Sequence, residues 1–143
     1  MIIELQQVVA QPLTDVFPVL ADIGRRPEWV KPAVERTPLT ADPVGPGSTY
    51  RAIDEYPGRR VEFVHELRAF EHGRLLEESW TGPMAGTMVT RFTAVDDSTE
   101  LAISMEINAS GTAKILAPLM KRWLVRALRK DFVRLESMLA AGK

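Results

Sequence analysis

The sequence predicts an α+β fold, in which a curved antiparallel sheet of about seven strands and two short N-terminal helices wrap around one long C-terminal helix. Three observations predict it. Hydrophobicity alternates with period two from about Ser48 to Ala109, and four turn signals interrupt that alternation. The C-terminal stretch then changes to a helical period. A chain of 143 residues, 45% hydrophobic and 26% charged, has the size and composition of one domain with a real core.

The elements follow in order. Ile2 to Ala10 suits a first strand. Pro12 and Thr14-Asp15 are helix-start signals before VFPVLAD, and Pro18 argues that this helix starts late, because proline is harmless only within a first turn. GRRPEWVKPAVE reads as a second short helix running into an extended segment, with a strand near Val34–Leu39. Pro57-Gly58, His72-Gly73, Gly82-Pro83 and Asp96-Asp97-Ser98-Thr99 divide the next region into five strands. The final helix enters near Pro118 and ends around Ala140. Leu124, Leu128, Phe132, Leu135 and Leu139 gather on one side, and Arg122, Arg126, Arg129, Lys130 and Arg134 on the other.

Turn lengths predict which side chains meet, because directly opposed antiparallel residues share a face. An even loop at Pro57-Gly58 sets Glu55 opposite Arg60, Ala52 opposite Phe63 and Tyr50 opposite His65. A two-residue loop at His72-Gly73 sets Leu67 opposite Glu78 and His65 opposite Trp80. A three-residue loop at Gly82-Pro83-Met84 puts Met88 opposite Glu78, and the next turn places Thr90 near Met105 and Phe92 near Ile103. The inner face becomes Tyr50, Ala52, Phe63, His65, Leu67, Leu76, Glu78, Trp80, Met88, Thr90, Phe92, Ile103, Met105 and Ile107.

An imidazole, a carboxylate and a phenol thus gather on an apolar surface. Inward His65 and Glu78 cost several kcal/mol each unless paired. Two accounts stand. One is a satisfied interior cluster, with His65 bonded to Tyr50, Glu78 or trapped water. The other is an incompletely closed interior, a pocket of apolar walls with a few polar anchors.

Other classes of function find little support. A net charge of −1 gives no global attraction to nucleic acid or anionic membrane, and the basic side of the last helix reads as a solvated face. There is no cysteine, and with two histidines held apart the chain offers no metal cluster and calls for no cofactor. Gly45-Pro46-Gly47 leads into a strand, so it reads as a tight turn and not a phosphate cradle. The N-terminus lacks a signal-peptide pattern and no apolar run is long enough to span a bilayer, so a cytoplasmic location without stable membrane insertion is expected.

Four segments carry a family resemblance: AQPLTDVFPVLADIGRRPEWV, VGPGSTYR, RAIDEYPGRRVEF and LAPLMKRWLVRALRKDFVRLESML. In their order and spacing they resemble the START-like helix-grip superfamily, in its bacterial polyketide cyclase/dehydrase-type branch, over nearly the whole chain. Pro18 departs from the pattern, standing where the family's first helix usually continues, and so does Gln11, where a small residue usually precedes Pro12. The resemblance implies a cavity between sheet and C-terminal helix that holds a lipid, sterol, polyketide or other apolar molecule. The expected lining is Trp29, Tyr50, Phe63, His65, Leu67, Glu78, Trp80, Met88, Thr90, Phe92, Ile103, Met105, Met120 and Leu124. A second expectation is an enzyme that cyclises or dehydrates a polyketide, with His65 as base, Tyr50 as donor to enolate charge and Glu78 holding the imidazole. A third is a homodimeric partner-binding module.

Overall fold

The computed structural model describes residues 1–108 and 111–142, with the side chains of Thr112 and Ala113 left aside. Seven strands form one antiparallel sheet: β1 (Ile2–Val9), β2 (Ala33–Pro38), β3 (Thr49–Tyr56), β4 (Arg59–Glu71), β5 (Leu75–Thr81), β6 (Gly86–Val95) and β7 (Ser98–Ile107). Their spatial order is β1-β7-β6-β5-β4-β3-β2. Strands β2 to β7 are a meander, and β1 joins its far edge against β7. The chain therefore crosses from one edge to the other between β1 and β2. Helix α1 (Leu13–Ala21), a 3₁₀ turn (Ile23–Arg25) and α2 (Arg26–Trp29) make that crossing. After β7 come the single turn α3 (Thr112–Ile115) and the long α4 (Ala117–Ala141). This is the α+β helix-grip architecture. The expected end of the meander, Ala109, lies outside the described residues.

Helix α1 starts at Leu13 and runs through Pro18, which corrects the expectation of a late start. Pro18 cannot donate to the Thr14 carbonyl. Both residues face solvent, however, where water replaces the lost donor, while Val16, Phe17, Val19 and Leu20 are buried on the opposite side. Burying those four side chains contributes roughly 1.5–3 kcal/mol each, which outweighs one missing helical bond.

Strand register follows the turns, with two instructive differences. Tyr50 lies opposite His65, and Ala52 opposite Phe63. His65 opposes Trp80, and Leu67 opposes Glu78. The turn between β4 and β5 is one residue longer than expected, since Glu71 pairs with Leu75. A bulge at Arg68, between Leu67 and Ala69, absorbs the extra residue and restores the register from Leu67 onward. Glu78 faces Met88 as expected. At the last hairpin Val95 pairs with Ser98, a tight two-residue turn, so Thr90 lies opposite Ile103 and Phe92 opposite Leu101. The expected partners, Met105 for Thr90 and Ile103 for Phe92, are displaced by two residues. A two-residue slip leaves every side chain on its predicted face.

One apolar cluster joins α1, the sheet and the C-terminal half of α4 through Val16, Phe17, Leu20, Leu67, Leu76, Phe92, Leu101, Phe132 and Leu135. A smaller one, built on Ile3, Met105 and Ile107, meets Leu124, Val125 and Leu128 from the first half of α4.

Candidate functional site

Glu78 has no exposed surface and sits at the centre of a polar cluster inside the apolar core. Arg26 grips it with both terminal guanidinium nitrogens: Nη1 lies 3.0 Å from Oε1 and Nη2 3.0 Å from Oε2. Such a fork is the strongest common ion-pair geometry. Nη2 of Arg26 also donates to the Leu20 carbonyl at 2.8 Å, and the guanidinium lies 5.7 Å from the Trp29 ring centre. His65 completes the cluster, with Nε2 2.8 Å from Glu78 Oε1.

Burial alone drives the Glu78 carboxyl towards its neutral form. The charge of Arg26 and the bonds from His65 and Arg26 outweigh it and hold the pKa at about 2. Glu78 is therefore ionised and can only accept, so Nε2 of His65 carries the proton in this contact. Nδ1 has no hydrogen-bond partner among the described residues. Glu78 thus fixes both the tautomer and the orientation of the imidazole.

The inner face is sealed at one end and more thinly covered at the other. Tyr50, Leu67, Thr90, Phe92 and Ile103 are sealed beneath α1, α2 and the C-terminal half of α4, and Trp29 packs on Phe132 with ring centres 5.7 Å apart. Towards the first half of α4 the cover thins. Phe63, Trp80, Met84, Met88, Met120 and Leu124 each keep part of their surface exposed, whereas Met105 is buried among them. His65 lies at the boundary, 8% exposed, with its ring centre 5.9 Å from that of Trp80. Trp80 packs against Gly86, where a Cβ would fall 2.4 Å from the indole and 2.7 Å from the Glu106 carbonyl. Only glycine permits this approach.

Of the three residues expected to do chemistry, His65 and Glu78 are in contact. Tyr50 stands opposite His65 on the neighbouring strand without a hydrogen bond to either among the described residues. Burial raises the Tyr50 pKa, with the charges of Asp22 and Asp42 adding to the effect. His72 lies in the β4–β5 turn against Phe17, apart from this group. Two open surface depressions, of about 400 and 200 Å³, lie elsewhere, one along α4 around Val133 and one across β1, β7 and β6.

Sequence reasoning missed Arg26, the main partner of Glu78. It also missed a second buried pair, Arg36 Nη1 to Asp54 Oδ1 at 2.7 Å, with the Tyr56 hydroxyl donating to Oδ2 at 3.4 Å. Asp54 was detectable, since alternation along β3 puts it on the same face as Tyr50 and Ala52. Nothing local marks Arg26, whose partner is 52 residues away. The Tyr56 pKa is pushed up to about 12, first by burial and then by the adjacent Asp54 charge.

A family model described as "Polyketide cyclase / dehydrase and lipid transport" matches residues 2–140. Similar solved structures include TTHA0849 from Thermus thermophilus, with a TM-score of 0.81 at 12% identity, covering 100% of this chain and 99% of that one. The Zhui aromatase/cyclase from Streptomyces sp. R1128 aligns with a TM-score of 0.78 at 14% identity, covering 98% of this chain and 93% of the other. Ara h 8.0201 aligns with a TM-score of 0.74 at 13% identity, covering 99% and 98%. A search among curated proteins finds no match.

Proposed function

This chain belongs to the polyketide cyclase/dehydrase and lipid transport family, and from that premise we propose that it binds a small hydrophobic or aromatic molecule between the sheet and the first half of α4. The observation that carries the proposal is the thinning cover over the inner face. There the apolar side chains of Phe63, Trp80, Met84, Met88, Met120 and Leu124 keep partial exposure beside a buried polar anchor. A ring resting on the indole of Trp80 adds about 0.5–1.5 kcal/mol beyond its burial. Covering roughly 200 Å² of apolar surface gains about 5 kcal/mol before the costs of association. His65 Nδ1, next to Trp80, accepts a hydrogen bond from a ligand hydroxyl. The flexible thioethers of Met84, Met88 and Met120 conform to ligands of differing shape. Neither oxygen of Glu78 is free, so its part is to position His65.

Native mass spectrometry and thermal shift against fatty acids, sterols and polycyclic aromatics test this reading. Binding is expected in at least one class, with a change in Trp80 fluorescence, and Met88→Trp fills the space and abolishes it. Absence of binding in every class refutes it.

One observation favours a second reading, acid–base turnover of a polyketide-like substrate. An ionised, fully buried carboxylate fixes the His65 tautomer so that Nδ1 is a positioned base. Turnover is expected to vanish in His65→Phe while binding persists. Full activity in that variant removes the reading.

A further inference from the structure

The start of α4 exposes apolar side chains that the interior does not use. Ile115 is 79% exposed, Leu119 65%, and Leu116 and Trp123 51% each. Leu116, Leu119 and Trp123 follow one another at helical spacing i, i+3 and i+7, so they form one ridge, and Arg122 and Arg126 border it at the same spacing from Leu119. A second element meets this ridge. Trp123 packs against Tyr56 with ring centres 6.0 Å apart, and Tyr56 pairs with Arg59 at the tip of the β3–β4 hairpin.

The charge around the ridge is one-sided. From Ile107 to Lys130 the sequence carries Lys114, Lys121, Arg122, Arg126, Arg129 and Lys130 and not one acid, although the whole chain has 19 acidic residues and a net charge of −1. Lys114, Arg122 and Arg126 are exposed, as is Arg59 on the hairpin. Glu55, an exposed acid near that tip, is paired with Arg60 at 3.3 Å.

We propose that this surface, the Leu116–Leu119–Trp123 ridge with the β3–β4 tip, docks reversibly onto an anionic lipid surface. Exposed leucines enter the acyl boundary, the Trp123 indole sits at headgroup depth, and guanidinium groups meet lipid phosphates. A nearly neutral chain would not gather its cations here for general attraction; they coincide with the apolar ridge. No helix among the described residues is long and apolar enough to cross a membrane, so the contact is peripheral. The proposal does not depend on what the interior binds, and ligand-free protein tests it.

The test is sedimentation with vesicles of phosphatidylcholine alone and of phosphatidylcholine with phosphatidylglycerol. Wild type is expected to partition onto the anionic vesicles only and to be released by high salt. Arg122→Gln with Arg126→Gln reduces the partition coefficient by about fivefold per charge removed. Leu119→Asp with Trp123→Asp reduces it by more than about tenfold, with far-ultraviolet circular dichroism unchanged because neither side chain belongs to the buried core. Equal binding to both vesicle types, or to neither, overturns the proposal. So does a dimer in light scattering that dissociates in the Leu119→Asp/Trp123→Asp variant, which would assign the ridge to a second copy of the chain.

Discussion

Replacing Arg26 by Met tests the reasoning about the buried cluster most directly. The side chain keeps its approximate volume but loses both nitrogens that hold Glu78. Glu78 has no exposed surface, so water cannot take their place. Breaking a buried pair by removing one partner costs about 3–5 kcal/mol. The Glu78 pKa of about 2, against an ordinary 4.5, corresponds to about 3 kcal/mol of preferential stabilisation of the charged form. The folded-state value is depressed, so this stability is fully present above pH 4.5 and is lost as pH falls towards 2. Arg26→Met is therefore expected to lose about 3–5 kcal/mol in urea unfolding at neutral pH. Its deficit relative to wild type narrows as acid removes the wild type's advantage. Adding Glu78→Leu to Arg26→Met restores most of the loss, because an apolar pair leaves no charge stranded. A single variant within about 1 kcal/mol of wild type, or a double variant no better than the single, refutes this account.

Three further outcomes follow from particular contacts. Gly86→Ala is expected to cost about 1–3 kcal/mol in chemical unfolding and to alter Trp80 emission, because its Cβ meets both the indole and the fixed Glu106 carbonyl. Ultraviolet titration of Tyr50→Phe is expected to show Tyr56 ionising near pH 12 instead of 10, and Asp54→Asn lowers that value by removing the adjacent charge. Leu67→Ala, in the closed half, is expected to cost about 2–5 kcal/mol, while Leu119→Ala on the exposed ridge changes stability by less than about 0.5 kcal/mol.

The candidate site was partly legible because a sheet's alternation and turn lengths are local properties. They placed His65 opposite Trp80 and Leu67 opposite Glu78 from the chain alone. Even there a longer turn and the bulge at Arg68 offset one another, so the register was right although the loop was not. The last hairpin slipped by two residues yet kept its faces, since the side-chain period is two. Helix α1 shows the opposite case. Pro18 is locally unfavourable, and only burial of the helix's other side carries the helix through it.

What the sequence by itself determined was periodicity: where strands and the long helix lie, and which residues face inward. That holds because the side-chain direction of each residue depends on its immediate neighbours. Tertiary structure alone decided that Arg26 neutralises Glu78 and orients His65, and that α4 seals one end of the sheet while leaving the other thinly covered. Those outcomes rest on residues 52 positions apart meeting in a medium without water, where the energy of a charge depends on what is packed around it.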